Sequence, residues 1–148
     1  MRTNSTPAAD RRLIFLLTVA QRRLQRFVAA QRGGGTPAQS GLLFVLGKRD
    51  GILMGEAGAA LDLGMPGISG LAERMVEAGL INKCADPDDG RASRLWLTAA
   101  GRRALARTKA GVADINARLM EGFTDAEIDI VSRWLKAVQT KFPKGDDE

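Results

Sequence analysis

The chain of 148 residues contains no histidine and a single cysteine, Cys84. Metal centres built on His and Cys clusters are therefore excluded, and so is acid–base catalysis by histidine. One cysteine closes no intrachain disulfide, which fits a reducing compartment. Long apolar runs are missing as well. Leu13–Ala20, behind Arg11 and Arg12, is only eight residues long and leads into Gln-Arg-Arg-Leu-Gln-Arg instead of a cleavage site. Nothing approaches the roughly 18 apolar residues of a membrane span. The expectation is a cytoplasmic protein with no membrane partner. Gly33–Gly35 precedes no Gly-Lys-Ser/Thr, so it reads as a linker and not as a phosphate cradle. No nucleophile–base set is visible, so neither an enzyme nor a bound cofactor is expected.

What is present is basic charge, unevenly spread. The net charge is +5 and the pI is near 10.0, which favours a polyanionic partner. Residues 1–32 carry Arg2, Arg11, Arg12, Arg22, Arg23, Arg26 and Arg32 against Asp10. Residues 98–122 are also net basic, whereas 33–79 are net acidic.

The most informative stretch is 79–101. Strand-like runs at 80–85 and 92–97 flank Asp86-Pro-Asp-Asp-Gly90, a hairpin signal because Gly tolerates positive φ and Asp bonds its own backbone. Helical periodicity surrounds it. Asp10 is placed to cap a helix to about Gln31, with Leu13, Leu16, Leu17, Ala20, Leu24, Phe27 and Val28 on one stripe. Thr36 and Pro37 open a second helix, whose Leu42–Leu46 run marks it as the buried one. A third covers about 54–62, with Ala57, Ala60 and Leu61 inward, and a tight turn follows at Leu63-Gly64. The fourth, about 65–78, turns Ile68, Leu71, Ala72, Met75 and Val76 inward. Thr98 caps a fifth helix to about Glu121, and Thr124 with Glu127 forms a capping box for the sixth.

These elements predict a mainly α protein with a small β-hairpin wing: a winged helix-turn-helix domain plus N- and C-terminal dimerisation helices. One unit spans 1–148, with a winged-helix region at 36–97 and pairing helices at 10–31 and 98–142. The outer helices are too apolar for a monomer to cover, so a second copy is expected.

The order of elements resembles the MarR family of winged-helix transcriptional regulators. The resemblance is carried by Glu56-Ala-Gly-Ala-Ala-Leu-Asp-Leu63, Ile68-Ser69, Leu71-Ala-Glu-Arg-Met75 and Gly79-Leu80-Ile81. It continues through Asp86-Pro-Asp-Asp-Gly-Arg-Ala92 and Leu97-Thr-Ala-Ala-Gly101. It implies a homodimer on a pseudo-palindromic DNA operator, acting as a repressor that a small, often aromatic ligand releases. It also implies that Arg91 reaches a minor groove, braced by an ion pair to Asp89.

Arg94, on the second wing strand, is a candidate phosphate contact, and so is Lys83. Lys48 and Arg49 are further candidates, although each could be an ordinary surface charge. Trp96 should face outward beside Arg94, shielding the wing base or packing on the fifth helix. The reading helix departs from expectation. It begins Met65-Pro-Gly-Ile-Ser-Gly70, where direct base readout wants Arg, Lys, Asn or Gln. Only Ser69 and Arg74 offer polar groups there, while Gly67 and Gly70 could allow the backbone close to DNA. The competing reading is a winged-helix protein–protein interaction module with weak or no sequence-specific DNA binding. A ligand pocket is expected where helices one, two and five meet, near Phe15, Val19, Leu43 and Phe44. Cys84 reads as a passive side chain.

Overall fold

The computed structural model describes residues 11–31 and 35–143. Six helices and three short strands follow in the order α1 (Leu13–Ala30), α2 (Pro37–Lys48), β1 (Ile52–Leu53), α3 (Met54–Ala60), α4 (Met65–Glu77), β2 (Ile81–Ala85), β3 (Ser93–Leu97), α5 (Ala99–Met120) and α6 (Asp125–Lys141). The strands form one antiparallel sheet ordered β1-β3-β2. This is a winged helix-turn-helix, as the sequence predicts. Strand β1 is an addition: the pairing Ile52↔Leu95 and Leu53↔Arg94 is too short to leave a periodic signal.

Local chemistry sets the helix ends. Thr36 and Gln39 exchange side-chain and backbone bonds in a full capping box, with Pro37 in the first turn. Thr124 and Glu127 do the same for α6. Arg12, at φ 45°, occupies the N-cap of α1, and the Asp10 expected there lies outside the described residues. Helix α4 closes in a Schellman turn. Leu80 N–H bonds Met75 O at 3.0 Å and Gly79 N–H bonds Val76 O at 2.9 Å, with Gly79 at φ 74°.

The turn between α3 and α4 corrects the expectation at Leu63-Gly64. The same pair of bonds runs there from Leu63 N–H to Gly58 O at 2.8 Å and from Asp62 N–H to Ala59 O at 3.2 Å. The left-handed residue is therefore Asp62, at φ 57°, and Gly64 is an extended N-cap. Asp tolerates this conformation better than most residues because its short carboxylate bonds locally.

The core lies between α2 and the helix-turn-helix. Leu42, Leu43 and Leu46 of α2 meet Ile68, Leu71, Ala72 and Met75 of α4, with Ile81 and Leu95 from the sheet. Two inward assignments change: Val76 and Ala60 lie on the surface. The seam of α5 is buried at Gly101 and Leu105, half-buried from Thr108 to Ile115, and exposed at Leu119. Helices α1 and α6 have no buried residue, although both carry one apolar face.

The Leu-Thr-x-x-Gly segment holds the wing to this frame. Thr98 Oγ1 donates to Gly79 O at 2.6 Å and accepts from Gly101 N–H at 3.0 Å. Gly101 packs directly on the Leu80 carbonyl, which leaves no room for a Cβ.

Candidate nucleic-acid interface

The wing tip is organised by carboxylates. Asp86 N–H bonds Ala92 O at 2.9 Å and closes the loop. Within it, Asp88 N–H reaches Asp86 Oδ1 at 3.4 Å, and Ala92 N–H reaches Asp89 O at 3.0 Å. Asp89 Oδ1 accepts the backbone N–H of Arg91 at 3.0 Å. The expected brace is thus made differently. Asp89 fixes the Arg91 backbone in a short Asx turn, and among the described residues no ion pair joins the two side chains. The Arg91 guanidinium stands exposed at the tip.

Arg94 has a different place. Its Nε bonds Asp86 Oδ1 at 3.1 Å and its Nη1 bonds Gly51 O at 2.8 Å. Asp86 is only 8% exposed, so this pair sits in the base of the wing and clamps it to the α2–β1 turn. The phosphate contact expected of Arg94 would compete with two internal bonds. Trp96 is on the same face of β3, 42% exposed, and its ring lies over Gly51. An added Cβ at Gly51, where φ is 78°, would stand 2.5 Å from the indole. The α2–β1 turn therefore needs glycine both for its backbone and for the ring above it.

An open groove of about 570 Å³ runs between the helix-turn-helix and the wing. It is lined by Ser69, Lys83, Asp89 and Arg91, together with Met65 and the start of α3 at Met54, Gly55 and Glu56. Four of the predicted residues therefore converge, from two elements separated in sequence. Lys83 reaches the groove because it pairs with Leu95 and so shares the face turned to α4. Arg74 is exposed further along α4, and Gly67 and Gly70 lie on its outer side, outside the groove lining. Arg49 is engaged by Glu56 at 3.1 Å, and Lys48 is exposed. Sequence reasoning passed over Met65, the apolar residue at the groove mouth, and Asp50. The bonds of Asp50 to Leu97 and Arg102 span distances that no local pattern reports.

A second cavity, about 430 Å³, opens among α1, α2 and α5. It lies among the three helices named for a ligand pocket, with a different lining. Phe27, Val28, Val112 and Ile115 form its apolar wall, with Arg107, Asp114 and Arg118 at the rim. The four predicted pocket residues are elsewhere. Leu43 is core, Phe44 packs against the core, Val19 is half-buried on α1, and Phe15 faces outward. The reason is axial: the cavity sits at the C-terminal end of α1, three turns beyond Phe15. Arg118 stacks over the Phe27 ring, 5.0 Å from its centroid.

This geometry agrees with known proteins. Residues 34–92 match a family model described as MarR family. Over this stretch, from α2 to the wing tip, the chain is similar to the MarR family. Among solved structures, a "probable transcriptional regulator" from Pseudomonas aeruginosa is 29% identical, with a TM-score of 0.80 over 88% of this chain and 98% of that one. The transcriptional repressor CouR, solved bound to a 23-mer DNA duplex, is 28% identical, with a TM-score of 0.78 over 85% and 91% of the two chains. PcaV from Streptomyces coelicolor, solved with its natural ligand, shares the fold at 24% identity and a TM-score of 0.78, covering 92% of this chain and 96% of its own. Among curated proteins no sequence match reaches significance. The family model and the two more similar of these structures place the likeness with transcriptional regulators.

Proposed function

We propose that the protein is a homodimeric, DNA-binding transcriptional repressor that a small aromatic ligand releases. The observation that carries this reading is the groove in which Ser69 of the reading helix meets Lys83 and Arg91 of the wing. In this fold the second helix of the helix-turn-helix enters the major groove, and cations beside it meet phosphates. The exposed Arg91 is placed to enter a minor groove, where a narrow A·T tract attracts guanidinium. Residues 36–97 then form the DNA-binding region. The segments 10–31 and 98–142 supply the pairing surface, since α1 and α6 each carry an apolar face but no fully buried residue within one chain. Repression is supported by the likeness to CouR.

The cavity supports the ligand. An apolar wall with two arginines at its rim suits an aromatic carboxylate, and Asp114 opposes a dianion. The cavity touches α5, whose first turn is bonded to the wing through Asp50, so occupancy can reach the DNA-binding face.

The deciding experiment selects bound DNA from random duplexes with purified protein, then measures affinity against salt. The reading expects a palindromic site, a steep fall in affinity as salt rises, and loss in Arg91→Ala. Absence of duplex binding at low salt overturns it and favours the protein–protein module.

A further inference from the structure

Helix α4 presents an unusual surface for a reading helix. Its first two turns contain no Arg, Lys, Asn or Gln. Met65 is 57% exposed and lines the groove beside Ser69, Lys83 and Arg91. Pro66 is exposed next to it. The two glycines that follow have no internal reason to be glycine. A Cβ at Gly70 would meet only Arg74 Nη1, at 3.4 Å, and one at Gly67 only the Leu63 side chain, at 3.6 Å. Both are ordinary contacts. Gly58 differs, since a Cβ there would press on Leu63 O at 3.0 Å and Ile68 Cγ2 at 3.1 Å. Each glycine weakens a helix by roughly 1 kcal/mol relative to alanine, so Gly67 and Gly70 lower stability without serving the packing of this chain.

We propose that α4 reads thymine methyl groups, with Met65 and Pro66 as the specificity-determining contacts and Gly67 and Gly70 letting the backbone approach the base edges. The inference rests on the DNA-binding reading above. Of the groups that base pairs display in the major groove, the thymine C5-methyl is the apolar one. A helix start that offers only one hydroxyl cannot make bidentate amide or guanidinium bonds, but a thioether and a pyrrolidine ring can pack on methyls. Met suits the task because its unbranched, polarisable chain adapts to an irregular surface. Lys83 and Arg91 flank the same groove and supply the phosphate attraction that α4 lacks.

The test uses a duplex recovered by selection and a second copy in which the half-site thymines are replaced by deoxyuridine, removing the methyls alone. Fluorescence anisotropy should show wild type binding the uridine duplex more weakly, by about three- to fourfold for each methyl read, as one buried methyl group implies. Met65→Ala should narrow the difference between the two duplexes to the share that Pro66 reads. Arg91→Ala should weaken both and keep their ratio. Gly70→Ala should melt at a higher temperature than wild type yet bind the thymine duplex less tightly. Tight, sequence-selective binding that ignores the uridine exchange overturns the proposal and leaves the regulator reading standing. Failure to bind any duplex at low salt overturns both.

Discussion

Asp50 and Arg102 meet at 2.7 Å across 52 residues of sequence, and the same carboxylate accepts the Leu97 N–H at 2.8 Å through its other oxygen. One side chain in the α2–β1 turn thus joins the last residue of β3 to the first turns of α5. The two bonds differ in weight. Arg102 is 63% exposed, and an ion pair at such a site contributes at most about 1 kcal/mol. The Leu97 amide is part-buried at the end of the central strand, and losing its acceptor costs about 1–3 kcal/mol. Asp50→Ala should therefore lower unfolding free energy by about 2 kcal/mol and Arg102→Ala by less than about 1 kcal/mol. Urea denaturation followed by circular dichroism distinguishes them, and equal losses would mean that the ion pair dominates.

The two wing arginines should separate in the same way. Arg91 makes no side-chain bond among the described residues, so Arg91→Ala should leave the melting temperature within the range of ordinary surface changes, about ±0.5 kcal/mol. Arg94→Ala strands the buried Asp86 carboxylate and takes a donor from Gly51 O, for a loss of about 2–3 kcal/mol. Arg94→Lys should recover only part of this, because an ammonium cannot present the planar fork that bonds both partners. Thermal unfolding of the three variants reads the difference. An Arg94→Ala protein as stable as wild type would show that the clamp contributes nothing.

How much of this was legible in the sequence depends on range. The caps at Thr36, Thr98 and Thr124 follow from residues within three or four positions, and the structure has them as read; the wing turn is present too, held by Asp86 and Asp89, but Gly90 does not take the positive φ that marked it. The α3–α4 turn was expected at Leu63-Gly64, whereas its left-handed residue is Asp62. The bonds of Arg94 and Asp50 escape a sequence reading for another reason. Gly51, one partner of Arg94, lies 43 residues away and those of Asp50 47–52; Asp86 is only eight residues from Arg94, yet a lone arginine on a strand looks the same whether it faces a phosphate or a buried carboxylate. The cavity lies among the helices named for a ligand pocket but away from Phe15, Val19, Leu43 and Phe44. Periodicity gives the face of a helix and says nothing about where along its axis a neighbour departs.

The Leu-Thr-x-x-Gly segment is also testable. A Cβ on Gly101 would collide with the Leu80 carbonyl, which is backbone and fixed by Thr98 N–H at 3.1 Å. Gly101→Ala should therefore destabilise by about 3 kcal/mol even though alanine favours helices. Gly111→Ala, ten residues on in the same helix, meets nothing within 4 Å and should stabilise by up to about 1 kcal/mol. Opposite signs in a thermal melt would confirm that packing, and not propensity, fixes Gly101.

Gly111 also lines the cavity, which makes it a handle on the ligand. Benzoate serves as an anionic aromatic probe. Wild type should melt higher with benzoate and release its DNA as the probe is added, whereas Gly111→Leu fills the open space and should do neither while still binding DNA. Arg118→Ala removes a rim cation and the partner of Phe27, and should weaken the benzoate effect without abolishing folding. A benzoate response that survives Gly111→Leu would place the ligand elsewhere.

The apolar faces of α1 and α6 carry the last prediction. Ile14 is 86% exposed and Phe142 77%, and Phe15, Leu16, Ile130 and Val131 are open beside them. Contiguous apolar surface of this kind marks an interaction site more often than a solvated face. None of these residues touches the buried cluster of the winged helix, so Ile130→Glu should leave that core folded. Introducing a charge into the paired surface should instead shift a dimer to monomers, read by sedimentation velocity at micromolar concentration. A monomer meets one half-site, while a dimer holds two reading helices about 34 Å apart along the duplex. DNA affinity should accordingly collapse in Ile130→Glu although the Arg91 groove is untouched. A monomeric wild type, or a variant that stays dimeric and binds normally, would remove α6 from the pairing surface.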